Sequence, residues 1–172
     1  MNRCVFLDRD GVLNVERGDY VYKVKDFKIV EGAPQALACL KAKNFLLIVI
    51  TNQGGIAKNI YTKQQMDTCH RYLQEACNGV IDAFYYAPYH PMITQSLSRK
   101  PDSLLFEKAI AKYHIAVHQS WMIGDRKRDL LPAKKLGIRT IQVTPNAHLS
   151  IAEYTVINIK DAVQVIRENN QH

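Results

Sequence analysis

The sequence predicts an α/β fold, with helices on both faces of a mainly parallel sheet. Three observations lead there. Short apolar runs alternate with helical patterns along the 172 residues, as strands and crossover helices do. The run from Phe45 to Ile50 is nearly continuous, as expected of a strand buried on both faces. Polar groups also stand directly after apolar runs, at Asp8, Thr51 and Asp125. Open parallel sheets place their ligand crevice at such carboxyl ends.

The elements follow in order. Arg3 to Leu7 reads as the first strand. Gly32-Ala33-Pro34 opens a helix to about Lys43, with proline in the first turn, where its missing N–H costs little. After the strand at Phe45 to Ile50, Thr62 reads as the N-cap of a helix to about Cys77, and Gln65 completes a capping box. Ala83 to Tyr86 is a short strand. Asp102 caps a helix to about Tyr113, and Trp121 to Ile123 is the next strand. Asp129 to Leu136 forms a helix stopped by Gly137. Arg139 to Val143 is a strand, followed by a weak one at Tyr154 to Ile157 and a helix from Asp161 to Glu168. With right-handed crossovers this is a Rossmann-like three-layer sandwich, expected to form one domain over residues 1–172.

Composition fits that size. Hydrophobic residues are 47% and charged residues 23%, ordinary for a globular chain. No segment approaches the roughly 18 consecutive apolar residues of a membrane span. The N-terminus has no apolar signal region, so a cytoplasmic location is expected. Cys4, Cys39, Cys69 and Cys77 show no metal-binding spacing and read as reduced thiols. The net charge of +7 suits an anionic ligand. No basic run or aromatic stripe marks a nucleic-acid surface, so a small anion is favoured over nucleic acid.

The chemistry starts at Phe6-Leu7-Asp8-Arg9-Asp10-Gly11. A carboxylate at the strand end can attack phosphorus, and a second one nearby can shuttle protons to and from an alcohol. Gly11 lets the backbone turn sharply. A surface turn rich in Asp and Gly reads the same way locally. Further along stand Thr51-Asn52-Gln53-Gly54-Gly55, Arg99-Lys100-Pro101 and Gly124-Asp125, with Asp129 four residues later.

Taken together these segments resemble the haloacid dehalogenase-like (HAD) phosphohydrolases. Their motifs are a DxD after the first strand, a Thr or Ser after the second, a Lys, and an acidic GDxxxD. All four stand in order across nearly the whole chain. Within that superfamily, FLDRDGVLN, TNQGGIAK, YYAPYHP and RKPD resemble the D-glycero-D-manno-heptose 1,7-bisphosphate phosphatases and the related histidinol phosphatase domains. The resemblance implies a magnesium-dependent phosphohydrolase acting on a small phosphorylated sugar through an aspartyl phosphate. Asp8 is then the nucleophile and Asp10 the general acid and base. The Asp8 side chain, the Asp10 main-chain carbonyl and Asp125 hold Mg2+. Thr51, Asn52 and Lys100 hold the transferring phosphoryl group, with Gln53 and Gly54 in the same loop. Arg99 recognises substrate, and its fork suits a second phosphate. Glu16, Arg17, Gly18 and Asp19 align with a substrate-contacting loop. Asp129 orients Lys100 or a metal-bound water. Arg126 stands where the heptose phosphatases usually carry lysine. His90 reads as a loop hydrogen-bonder.

One absence and one departure accompany the resemblance. The core elements use up the stretches between Asp10, Thr51 and Lys100, leaving no room for a cap domain. The predicted fold is therefore a capless HAD fold whose pocket comes from the loops Asn14 to Tyr22 and Ala87 to Ser98. The heptose phosphatases typically carry a structural zinc before Arg-Lys-Pro. The aligned positions here are Ala87, Tyr89, Ser96 and Ser98, which offer neither thiolate nor imidazole, so no structural zinc is expected. A histidinol phosphate, another phosphomonoester or a polynucleotide 3′-phosphate is an alternative substrate. A receiver-type phosphoacceptor also uses Asp, Thr and Lys, but takes phosphate on a mid-chain aspartate. The oligomeric state is not legible.

Overall fold

The computed structural model describes residues 1–169. Six strands, β1 (Cys4–Leu7), β2 (Leu46–Asn52), β3 (Ala83–Ala87), β4 (Trp121–Gly124), β5 (Arg139–Val143) and β6 (Tyr154–Val156), form one sheet. Its order is β3-β2-β1-β4-β5-β6, and every pairing is parallel. The helices are α1 (Ala33–Ala42), α2 (Lys63–Ala76), α3 (Leu104–Tyr113), α4 (Lys127–Lys135) and α5 (Ile159–Glu168). The predicted Rossmann-like α/β architecture is the one observed.

Period-2 side-chain alternation divides the core in two. Val5 and Leu7 of β1 join Leu37 and Leu40 of α1, Leu73 of α2 and Ile166 of α5 on one face. Cys4 and Phe6 join Phe106 and Ala109 of α3 and Ala133 of α4 on the other. Phe6 and Phe106 meet with ring centroids 5.2 Å apart. Fully burying side chains of this size stabilises by about 1.5–3 kcal/mol each. Because β1 is buried from both sides, its chain is held in place up to Asp8, the residue that follows it.

The capping box at Thr62 forms as read: Thr62 Oγ1 accepts from the Gln65 amide at 3.2 Å, and Gln65 Oε1 accepts from the Thr62 amide at 2.9 Å. Three helix starts differ from the reading. α3 begins after Ser103, because the Asp102 amide is used in a turn to Arg99 O at 2.9 Å. α4 begins at Lys127, two residues early, with Asp129 already in its first turn. α5 begins at Ile159, because the Asn158 side chain caps the Asp161 amide at 3.0 Å. β2 also runs on through Thr51 and Asn52, which pair with Tyr86 and Ala87 of β3.

Candidate active site

β1 lies between β2 and β4, so the residues at their carboxyl ends converge. Asp8 continues the ladder, its amide donating to Ile123 O at 3.0 Å. Lys100, from the loop before α3, is buried beside it. Its ammonium donates to Asp8 Oδ1 at 2.7 Å and to Ile50 O at 2.6 Å, and lies 2.7 Å from Asp129 Oδ1. The other Asp129 oxygen accepts from the Arg126 amide at 3.0 Å. Asp129 thus bonds the first turn of α4 with one oxygen and contacts the Lys100 ammonium with the other. Burial acts to lower the Lys100 pKa, but Asp129 and Asp8 outweigh it and raise it.

Asp8, Asp125 and Asp129 present oxygens within 4.8 Å of one another. Burial pushes Asp8 up to about 7, with Asp129 adding and Lys100 opposing. Burial pushes Asp125 up to about 6, Asp129 again adding and Arg126 opposing. Three carboxylates therefore crowd one site, and the Lys100 ammonium contacts two of them, Asp8 and Asp129. Asp125 Oδ1 is buried with no hydrogen-bond partner, although buried carboxylate oxygens are ordinarily satisfied. An oxygen-only set with excess negative charge fits a hard divalent cation. Gly11 keeps that space open: its φ is +90°, and a Cβ there would stand 2.5 Å from Asp125 Oδ2.

Asp10 faces the cleft from the turn after β1. Arg9 Nη2 donates to Asp10 Oδ1 at 2.9 Å and to Val21 O at 2.9 Å. Asn14 Nδ2 donates to Asp10 Oδ1 at 3.0 Å, and Gln53 Nε2 to Asp10 Oδ2 at 3.2 Å. Burial alone would raise the Asp10 pKa, but the Arg9 guanidinium and these donors hold it below the usual carboxylate range. Gln53 also donates to Thr51 Oγ1 at 2.9 Å, and its own Oε1 accepts from Tyr61 Oη at 2.6 Å. A chain of bonds therefore links Tyr61, Gln53, Thr51 and Asp10. Asn52 is engaged differently: both ends of its amide bond the Lys100 main chain, each at 3.0 Å.

Above this floor opens a cleft of about 330 Å³. Asp10, Glu16, Gly18, Asp19, Asn52, Gln53, Gly54, Arg99 and Arg126 from the sequence reading line it. Glu16 folds its own loop, accepting from the Arg17 and Gly18 amides at 3.0 and 2.9 Å, and pairs with Arg126 at 3.0 Å. Asp19 accepts from the Tyr20 amide at 2.7 Å. Arg17 is not among the lining residues and pairs with Asp26 at 2.9 Å. The second expected loop contributes His90 to the lining, while Ser96 and Ser98 share a hydroxyl bond of 2.8 Å.

The sequence reading missed Arg9, Tyr20, Tyr61 and Arg128. Arg9 had a readable signal, since an arginine between two acids at a strand end has carboxylates within reach. Tyr61 and Arg128 had none, because their partners come from distant segments.

Comparison with known proteins shows what the chain is similar to. The family model Hydrolase_like, of HAD-like hydrolases, matches residues 97–158. The D-glycero-beta-D-manno-heptose-1,7-bisphosphate 7-phosphatase of Haemophilus ducreyi is 38% identical over 147 residues, covering 80% of each chain. The protein of the same name from Escherichia coli O6:H1 is 31% identical over 184 residues, covering 98% of this chain and 96% of that one. The fold is shared with the D,D-heptose 1,7-bisphosphate phosphatase of B. bronchiseptica, solved with magnesium and phosphate. There the TM-score is 0.86 at 22% identity, over 97% of this chain and 99% of that chain. An α/β hydrolase with carboxylates clustered at its strand ends is the class that fold and site define. The chain belongs to the HAD-like hydrolases, in the family of the heptose bisphosphate phosphatases.

Proposed function

We propose that this protein removes one phosphate from D-glycero-β-D-manno-heptose 1,7-bisphosphate, at position 7, through an aspartyl phosphate on Asp8. The observation that carries the chemistry is the buried Asp8–Lys100–Asp129 array with Asp10 facing the cleft two residues on. The relatives' names support the substrate.

An ionised Asp8 oxygen attacks phosphorus and the ester P–O bond breaks. Asp10, protonated for this step, gives its proton to the departing alkoxide. Asp10, again a carboxylate, then takes a proton from water. The resulting hydroxide attacks the phosphoaspartate, the acyl-phosphate link is cleaved, and inorganic phosphate and Asp8 are regenerated. The low Asp10 pKa set by Arg9 favours the carboxylate form that the second half needs. Thr51 and Lys100 stabilise the charge on the transferring group. Asn52 acts on it by pinning the Lys100 main chain.

Asp8, the Asp10 main-chain carbonyl and Asp125 would hold Mg2+, which neutralises charge between carboxylate and phosphate. Asp129 is spoken for by Lys100 and the Arg126 amide, which supports an orienting role. Arg99 and the Glu16–Asp19 loop would contact the sugar phosphate.

A phosphate-release screen tests this. Its panel is the heptose bisphosphate, sugar monophosphates, histidinol phosphate and 3′-phosphorylated oligonucleotides, each with chelator and with Mg2+ restored. The expected outcome is selective turnover of the bisphosphate that chelation stops and magnesium restores. Comparable rates across the panel would overturn the substrate, and undiminished turnover in chelator would overturn the metal.

A further inference from the structure

Tyr61, in the loop before α2, is the far end of the chain of hydrogen bonds that reaches the floor of the cleft. Its ring has no freedom: it stacks on Tyr22 with centroids 5.0 Å apart and planes 9° apart, and meets Tyr20 at 5.7 Å. Gly55 lets that ring lie close against the turn after β2, since a Cβ there would stand 2.1 Å from Tyr61 Cε1. Tyr61 is only 4% exposed, and its hydroxyl donates to Gln53 Oε1 at 2.6 Å. Burial raises the Tyr61 pKa against the opposing pull of Arg9. The hydroxyl therefore keeps the proton it donates.

The direction of the chain follows from what each group can give and take. A side-chain amide accepts only at its oxygen and donates only from its nitrogen. With the Gln53 oxygen held by Tyr61, the nitrogen faces the floor and gives its protons to Thr51 Oγ1 at 2.9 Å and Asp10 Oδ2 at 3.2 Å. Thr51 Oγ1 accepts this bond, so its own single proton is left for another acceptor. Turned over, the Gln53 amide would set its oxygen against the Asp10 carboxylate and draw the Thr51 proton to itself. Gln53 and Thr51 are both buried, so a partner lost here is not made up by water and costs the desolvation of the group.

We infer that Tyr61 is a positioning residue for the phosphoryl transfer: its hydroxyl fixes which way the Gln53 amide faces, and so makes Thr51 a hydrogen-bond donor to the transferring group. A donor already aimed where charge develops needs no reorganisation during the reaction. This inference rests on the aspartyl-phosphate reading above, in which Thr51 stabilises that charge, and it adds a residue that is not among those lining the cleft.

The test uses the full chain with Mg2+ and two substrates, the heptose 1,7-bisphosphate and p-nitrophenyl phosphate. Tyr61→Phe keeps the ring and its stacking and removes only the hydroxyl. Rates are taken per folded chain, with the folded fraction read by circular dichroism. The expected result is a kcat about 5-fold lower on both substrates with KM unchanged, the size of one hydrogen bond between neutral groups. In a Gln53→Leu background the same change should cost nothing further, because the route through the amide is gone. A ring that only packs would give equal losses in the two backgrounds. An unchanged kcat in Tyr61→Phe, a loss carried by KM, or the same loss in the Gln53→Leu background overturns the role of Tyr61 alone. A wild-type chain that turns over neither substrate overturns the phosphatase reading together with it.

Discussion

The floor of the cleft and its rim are built on opposite principles. At the floor, Asp8, Lys100 and Asp129 have side chains between 0% and 5% exposed and are joined by ion contacts of 2.7 Å. At the rim, Arg126 and Glu16 pair at 3.0 Å with side chains 47% and 30% exposed. Floor charges have lost their water, so each depends on its neighbours for its ionisation. Rim charges keep much of theirs and can be exchanged with little effect on the fold. Floor charges thus stand where substitution is costly, and rim charges where it is not.

Replacing Asp8, the proposed nucleophile, tests the floor most severely. Asp8→Asn should lower kcat at least about 1,000-fold. Its thermal midpoint in chelator should not fall below wild type, because one of three crowded carboxylates is gone. A lower midpoint would mean that Asp8 stabilises the fold and that the floor is not under electrostatic strain. Lys100→Met should cost activity and also about 3–5 kcal/mol of stability, since it strands Asp8 and Asp129 without a cation. Denaturant unfolding measures it, and a loss like that of a rim variant would erase the distinction.

His70 extends the comparison behind the floor, where it stacks on Phe84 at 4.6 Å and lies 3.4 Å from Arg9. Burial, then Arg9, push it down to about 3. The unfolded chain therefore binds the proton first. The contribution is fully present above about 6.5 and is lost as pH falls toward about 3, with a slope of at most about 1.4 kcal/mol per pH unit. His70→Asn should flatten that part of a stability-against-pH curve, and an unchanged slope would place the acid sensitivity elsewhere. The smallest effect belongs to the rim: Glu16→Gln should change stability by less than about 1 kcal/mol. A larger loss by the same unfolding measurement would show that the loop from Glu16 to Asp19 is part of the rigid scaffold.

The floor was legible because its residues announce themselves locally. A charged or hydroxylated side chain directly after a buried apolar run has few structural reasons to be there, and Asp8, Thr51 and Asp125 all stand so. The parallel sheet followed less directly, from the alternation of strands and helices alone. The rim was legible by position only. Arg17 reads like its neighbours but pairs outward with Asp26, and nothing in the sequence distinguishes that from a cleft-facing arginine. Arg9 and Asp10 would face opposite sides of a strand. The turn at Gly11 brings them together, so their ion pair is a property of the turn. Arg128 was invisible because the other residues that line the cleft with it come from distant segments. The early starts of α4 and α5 came from caps: Asp129 was read as the start when it is a third-position cap, and Asn158 was not weighed.

The placement of Trp121 has a consequence for watching this chain fold. It is the chain's one tryptophan, fully buried in β4 and paired with Val5 of β1. β1 must wait for β4, which is synthesised more than a hundred residues later, before Asp8 acquires its Ile123 partner. Joining segments so far apart is the slow part of assembling a parallel sheet. The indole therefore enters its dry environment in the same event that seats Asp8. Its emission is an internal clock for the maturation of the active centre, readable without label, substrate or metal.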